Sequence, residues 1–144
     1  IPDGAYGAEI TAVSDSKKTI LMVVGAAAKA QMDGKLDLKE EQEIVMNVSD
    51  MLADLLNAES VLLRLQKTAE NGKATQPREV LDAVLKTYFH AKNGLDAVAG
   101  FAEGDLLHTF VAGIRRFTAY PPQNVKAMRR IVADHCIKAN EYAL

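Results

Sequence analysis

Residues 38–69 have the sequence LKEEQEIVMNVSDMLADLLNAESVLLRLQKTA, and this stretch decides the fold. Apolar residues recur along it at alternating spacings of four and three, which is the pattern of one face of an α-helix. These residues are Ile44, Val48, Met51, Leu55, Ala58, Leu62 and Leu65. The stripe is widened by Val45, Leu52, Leu56 and Leu63. At 1.5 Å per residue the predicted helix is about 48 Å long.

The flanking residues predict where this helix begins and ends. Asp37 is followed three residues later by Glu40, which resembles a capping box in which a carboxylate replaces the usual hydroxyl. Asn71-Gly72 follows the stripe, and such a pair is a natural left-handed cap. We therefore predict a helix from Leu38 to Ala69.

Two further helices are predicted on either side of this one. The first runs from about Ser16 to Met32 and ends at Asp33-Gly34. Its shared face contains Ile20, Val23, Val24, Ala27 and Ala28. The other begins at Pro77, which suits a first helical turn, and continues to Ala102. Asn93-Gly94 lies within it and predicts a kink or break there, because this pair usually forms a turn.

The last third of the chain predicts a fourth and a fifth helix. Asp105 is predicted to cap the fourth, which ends at Tyr120-Pro121-Pro122. Its inward residues are Leu107, Phe110, Val111, Ile114 and Phe117. The fifth runs from about Asn124 to Tyr142. Its apolar side consists of Val125, Met128, Ile131, Val132, His135 and Ala139.

Long amphipathic helices joined by short connectors are typical of antiparallel neighbours. We therefore predict an all-α fold, an up-down antiparallel helical bundle of four to five helices. Residues 1–13 contain Pro2, Gly4 and Gly7 without helical periodicity, and we expect them to be an extended or mobile lead-in that resembles a linker. Residues 14–144 form the predicted helical-bundle domain. Because the first residue is Ile1 and not Met, we expect the chain to be part of a longer polypeptide.

Composition excludes several classes of protein. Hydrophobic residues make up 49% of the chain and charged residues 25%, which is typical of a soluble globular protein. The net charge of −2 gives no general attraction to nucleic acid. A single cysteine, Cys136, excludes an intrachain disulfide and a multi-cysteine zinc site. No apolar run approaches the roughly 18–20 residues of a membrane-spanning helix, so we predict a cytoplasmic protein.

Candidate chemistry is sparse. A ferritin-like di-iron site needs Glu-x-x-His on two helices and two further inward carboxylates. The chain offers only Asp105-x-x-His108 and one further carboxylate, Glu59, beside the apolar stripe. We expect Glu59 to pair with a cation on a neighbouring helix. His90, His108 and His135 lie on three different predicted helices. Asp134, His135 and Cys136 are adjacent on one helix, so their side chains point about 100° apart and cannot converge on one reacting atom. Phosphate-binding glycine motifs are absent from the sequence. We predict no catalytic, cofactor-binding or metal-binding residue here.

Four arginines form the one candidate binding patch in the sequence. Arg115-Arg116 and Arg129-Arg130 belong to successive predicted helices on either side of Tyr120-Pro121-Pro122. Residues 104–144 contain six Lys/Arg against three Asp/Glu, so this end is basic. One interpretation is a pair of solvated helix faces. The other is a docking patch for an acidic domain, a phosphorylated ligand or an anionic membrane.

Several runs of sequence resemble a known family. They are residues 25–35 (GAAAKAQMDGK), 38–44 (LKEEQEI), 58–64 (AESVLLR) and 109–117 (TFVAGIRRF), the last followed by Tyr120-Pro121-Pro122. They are similar to the C-terminal extension of the larger bacterial acyl-CoA dehydrogenases, whose layout resembles that of the very-long-chain enzymes. Residues 1–4, IPDG, resemble the linker that follows the catalytic domain there. The resemblance therefore implies that residues 1–13 are a linker from an upstream catalytic domain and that residues 14–144 are a C-terminal helical-bundle domain.

The resemblance implies a parent flavoprotein that oxidises the Cα–Cβ bond of an acyl-CoA with FAD as cofactor. Its catalytic base lies in a Glu-Gly-Thr-Asn-type motif upstream of the extension, and no such motif occurs in this chain. The expected role is therefore non-catalytic packing, docking or dimer formation, with peripheral membrane contact in some relatives. The alternatives are an independent helical adaptor that uses the four arginines and, third, a ferritin-like metal protein.

Overall fold

A computed structural model describes residues 6–70, 87–119 and 124–139, with residues 68, 69, 87–91, 125 and 139 described by their backbone alone. These ranges contain helices and no strand, which confirms the predicted all-α class. The helices are α1 (Gly7–Met32), α2 (Gln42–Glu70), α3 (Thr87–Ala99), α4 (Gly104–Phe117) and α5 (Val125–Ala139).

Contacts between neighbouring helices give their directions. Lys17 of α1 pairs with Glu59 of α2, and Val13 packs in one cluster with Leu62 and Leu65. On α3, Gly94 lies beside Met51, and Gly100 lies beside Ile44 near the opposite end of α2. In each pair the residue numbers rise on one helix as they fall on the other. The predicted up-down antiparallel arrangement is therefore confirmed for α1 to α3.

The fourth helix completes the bundle and runs antiparallel to α1. Gly113 lies against Met22, and Lys18 lies over the ring of Phe117. Within the described ranges, α1, α2 and α3 pack on one another and α4 packs on α1 and α3, whereas α5 does not pack to a comparable extent on any of these four. The bundle core is therefore built by α1 to α4.

The interior contains two clusters of buried apolar side chains. The larger one joins all four bundle helices, and its fully buried members include Val23, Met51, Val98 and Ile114. The smaller one joins the beginning of α1 to the end of α2 through Val13, Ala58, Leu62 and Leu65. Burial of each large side chain contributes about 1.5–3 kcal/mol, so these clusters dominate the stability of the fold.

The predicted break at Asn93-Gly94 is wrong, because α3 continues through both residues to Ala99. A methyl group at Gly94 would lie 3.2 Å from Met51 Cε, 3.6 Å from Val23 Cγ2 and 3.7 Å from Ile114 Cδ1. The glycine therefore stands where three other helices approach α3 most closely. Its lack of a side chain serves interhelical packing, and the tertiary contacts override its turn propensity.

The first helix begins earlier than predicted. Residues 7–13 were expected to be extended, but α1 starts at Gly7, directly after Tyr6 with a φ of 65°. Ala12 and Val13 are buried, and Val13 packs in the cluster with Leu62. This burial compensates for the low helix propensity of the opening glycine. Residues 1–5 lie outside the described ranges, and the linker role of residues 1–13 stays a prediction.

The second helix begins later than predicted, at Gln42 and not at Leu38. Asp37 caps a separate single turn: its Oδ1 accepts a hydrogen bond of 3.0 Å from the Lys39 N–H. The Asp37 carbonyl accepts bonds of 3.0 and 3.1 Å from the N–H groups of Glu40 and Glu41. The helix start predicted from the capping-box pattern is therefore wrong, because Asp37 caps this turn and not α2. Asn71-Gly72 lies outside the described ranges, as does Pro77.

The starts of the last two helices differ from each other in capping. Asp105 was expected to cap α4, but the cap position is Glu103, and Asp105 lies in the first turn. A carboxylate there still favours the positive end of the helix dipole. Asn124 caps α5, since its Oδ1 accepts a hydrogen bond of 3.1 Å from the Ala127 N–H. Residues 120–123 and the predicted end at Tyr142 lie outside the described ranges.

We predict that Gly94→Leu lowers the free energy of unfolding by about 1–3 kcal/mol, because the new side chain must displace Met51, Val23 and Ile114 from a filled core. Urea unfolding followed by circular dichroism measures the change. Gly25→Leu is the matched control, since nothing lies within 4 Å of a methyl group at Gly25. We expect it to be neutral or stabilising by up to about 1 kcal/mol. Equal losses in both variants would contradict the close approach at Gly94.

Candidate docking surface

The outer seam between α1 and α2 is marked by an ion pair. Lys17 Nζ of α1 donates to Glu59 Oε1 of α2, and both side chains remain partly exposed. This confirms the prediction that Glu59 pairs with a cation on a neighbouring helix. The pair fixes both the register of the two antiparallel helices and the side of the bundle on which their shared outer edge lies.

Exposed apolar residues follow this seam on both helices. Leu21 and Val24 come four and seven residues after Lys17, and these spacings place them on the same face of α1 as Lys17. On α2, Leu52, Leu56 and Leu63 lie seven, three and four residues from Glu59. We define the seam face as the exposed apolar residues along this edge. They are Leu21, Val24, Met32, Val45, Leu52, Leu56 and Leu63.

The register makes the seam face continuous across the two helices. Because the helices are antiparallel, residues after Lys17 on α1 lie beside residues before Glu59 on α2. Leu21 is therefore about level with Leu56, and Val24 is level with Leu52. From Val45 to Leu63 the face extends about 27 Å, at 1.5 Å per residue. The face spans two packed helices, each about 10 Å across, so it is about 20 Å wide and its area is roughly 500 Å². This size is at the upper end of the apolar patches found on monomeric proteins.

The seam face corrects the predicted interior. Val24 and Ala28 were expected to share the buried face of the first helix, but both are exposed. Val45, Leu52, Leu56 and Leu63 were expected to widen the core stripe of the second helix, and they too are exposed. The core positions Ile20, Val23 and Ala27 are buried as predicted. The apolar arc of each helix is therefore wider than its core contact.

The four arginines are all exposed, as expected for a docking patch or for solvated helix faces. Arg115 and Arg116 lie in the last turn of α4, where a positive charge favours the negative end of the helix dipole. Arg129 and Arg130 lie on α5. Within the described ranges, none of the ion pairs involves these arginines. A shared docking patch of the four arginines stays a prediction.

Lys18 of α1, which the sequence pattern did not single out, lies beside the end of α4. Lys18 Nζ is 5.5 Å from the centroid of the Phe117 ring, and it is 3.2 Å from Asp15 Oδ1 on its own helix. Such a cation–π contact contributes about 0.5–1 kcal/mol at an exposed site. Because the contact joins residues at opposite ends of the chain, no local sequence signal could have indicated it.

The candidate catalytic residues from the sequence lie on three different helices, α3, α4 and α5. Asp105 and His108 are exposed on α4, His135 and Cys136 are half-buried on α5, and His90 is described by its backbone alone. Within residues 6–70, 87–119 and 124–139, His, Cys, Asp and Glu do not come together in threes that could hold a metal ion. In the same ranges, no helix combines the length and the apolar character needed to cross a membrane.

The fold and its surface define a class of protein: a helical bundle with an apolar core and an exposed apolar seam. The family model "Acyl-CoA dehydrogenase, C-terminal domain" matches residues 15–116. The chain belongs to this family, which confirms the resemblance drawn from its sequence.

The chain spans about a quarter of the length of two relatives. A probable acyl-CoA dehydrogenase of Bacillus subtilis (strain 168) is 32% identical over 140 residues, covering 92% of this chain and 23% of that protein. The crystal structure of an acyl-CoA dehydrogenase complexed with FAD from Bacillus anthracis matches with a TM-score of 0.84 and 26% identity. The match includes 100% of this chain and 25% of the Bacillus anthracis chain.

The register that defines the seam face predicts coupling between Lys17 and Glu59. We expect Lys17→Glu or Glu59→Lys alone to lower the free energy of unfolding by about 0.2–1 kcal/mol, since each places like charges together on a partly exposed edge. The double exchange should recover most of the loss. Urea unfolding at low and high salt measures the coupling, which salt should weaken.

Lys39→Glu is the control for this charge exchange, because Lys39 is exposed on the turn before α2 and lies on neither side of the seam. Combined with Glu59→Lys, it should give no coupling. Additive losses in the Lys17 and Glu59 double variant would show that the two side chains are not neighbours.

Proposed function

We propose that this chain is the non-catalytic C-terminal helical domain of an FAD-dependent acyl-CoA dehydrogenase. The parent polypeptide would oxidise the Cα–Cβ bond of a fatty acyl-CoA, and the domain would serve packing, docking or dimer formation. The observation that carries the proposal is the match of the whole chain, with a TM-score of 0.84, to 25% of a structure described as an acyl-CoA dehydrogenase complexed with FAD.

The interior of the bundle supports a non-catalytic role. Among its described buried residues, Glu9, Ser16 and Thr19 are polar or charged, and the others are apolar residues or glycine. The Thr19 hydroxyl donates 3.0 Å to the Asp15 carbonyl within its own helix. Active sites need convergent polar groups in a pocket, and the core of the described bundle is instead filled with hydrocarbon. Neither a base nor a hydride acceptor is therefore assigned to this chain.

The described residues do not fit FAD. A flavin dinucleotide needs a long cleft with donors for its pyrophosphate, whereas the buried part of α1 to α4 is a closed apolar cluster. We therefore assign FAD and the acyl-CoA substrate to the upstream catalytic domain of the same polypeptide. The proposal further includes a parent homodimer, a cytoplasmic location, peripheral membrane contact as one possible docking role, and no nucleic acid partner.

The second candidate function is an independent helical adaptor that binds an acidic partner through Arg115, Arg116, Arg129 and Arg130. Their exposure, without a described acidic neighbour, favours it. The gene separates the two candidates. Several hundred upstream codons that include a Glu-Gly-Thr-Asn-type motif favour the dehydrogenase, whereas a reading frame that opens just before Ile1 favours the adaptor.

We predict that the purified 144-residue chain carries no flavin and reduces no dye with a fatty acyl-CoA, while the parent polypeptide does both. The reason is that the described interior of α1 to α4 is a buried apolar cluster, which offers no donors for a flavin pyrophosphate. Visible absorbance and anaerobic acyl-CoA titration measure the two properties. Flavin that copurifies with the isolated chain and is bleached by acyl-CoA would overturn the non-catalytic assignment.

A further inference from the structure

We propose that the seam face is the surface on which the preceding part of the same polypeptide docks. The inference rests on the proposed function, since it needs a longer parent chain. It assigns the contact to one outer edge of the bundle, the α1–α2 seam, and not to the arginines of α4 and α5.

The first argument is the chemistry of the face. Large aliphatic side chains form its middle, among them Leu21, Leu52 and Leu56, and all three are about half or more exposed. The Lys17–Glu59 pair crosses the seam beside them as a neutral unit. Such a surface offers no net charge to nucleic acid or to anionic lipid headgroups. It is complementary to another apolar protein surface.

The second argument is the area of the face compared with what different partners need. A stable complex of two free proteins buries about 800 Å² on each side, whereas the seam face offers roughly 500 Å². Contacts between domains of one chain need only about 600–1,500 Å² in total, which two surfaces of this size supply. A covalent linker also raises the effective concentration into the millimolar range. The size therefore favours a tethered partner over a second copy.

The third argument is the position of the face in the chain. The relatives are about four times as long as this chain, since it covers 23% and 25% of them. The matching family is a C-terminal domain, so the remainder precedes α1. The first helix contributes Leu21, Val24 and Met32 to the face. The tethered part of the polypeptide therefore joins the very helix that forms one side of the seam.

Thiol labelling in the full-length parent tests the proposal with a pair of matched positions. Leu56 lies on the seam face and Met46 lies off it on the same helix, with side chains 65% and 63% exposed. Leu56→Cys and Met46→Cys are each treated with a maleimide. Rates are read by mass spectrometry on the peptide that carries the new thiol, and are divided by the rate in denaturant.

We expect labelling of Leu56→Cys to be at least about tenfold slower than that of Met46→Cys, because only the first position is covered until the docked surface opens. The difference should not change on dilution of the protein. Val24→Cys repeats the measurement from α1, so that a failure of one variant to fold leaves the test intact. Circular dichroism checks the helix content of each variant.

Every other labelling pattern overturns the proposed docking surface. Fast labelling at both positions means an open face, and slow labelling at both means a cover that is not specific to the seam. Protection lost on dilution assigns the face to a second copy, and protection that appears only with anionic phosphatidylglycerol vesicles assigns it to a membrane. A parent that protects Leu56 but binds no flavin refutes the proposed function alone. A flavin-containing active parent with an open face refutes the docking surface alone.

Discussion

The fold depends on the close approach of four helices around a residue without a side chain. Val23, Met51 and Ile114 are fully buried members of α1, α2 and α4, and all three point at Gly94 of α3. Interiors are packed nearly as densely as organic crystals, so such a point fixes the spacing and rotation of every helix that meets there. Once these rotations are fixed, the side of each helix that faces solvent is fixed as well.

The seam face is a consequence of that constraint. The core positions of α2, such as Met51 and Leu62, lie on one side of the helix, and Leu52, Leu56 and Leu63 lie about 100° away. With Met51 held at Gly94, this second apolar stripe must face outward beside α1. The bundle therefore buries one part of a wide apolar arc and leaves another part exposed. An arc of this width is more than a four-helix core requires.

Periodicity predicted much of the fold. The core residues of α2, the inward side of α4 with Ile114, and the antiparallel order all follow from spacings of three and four, because the same face must be buried wherever the helix is long. Local signals failed where tertiary contacts compete with them. Gly94 has the propensity of a turn but the function of a packing point, and Gly7 begins a helix whose next turns pack on Leu62 and Leu65. The seam face needed the Lys17–Glu59 register, which joins residues 42 apart in sequence.

The two exposed features of the domain differ in what they indicate about a partner. Arg115 and Arg116 already have a role in the last turn of α4, where they favour the helix dipole, and water solvates them at little cost. Aliphatic side chains such as Leu21 and Leu56 gain nothing from exposure, and a continuous patch of them promotes aggregation until another surface covers it. Burial of such a patch contributes about 25 cal/mol per Å². The apolar seam therefore indicates a partner more strongly than the arginines do, although the arginines are the more conspicuous pattern in the sequence.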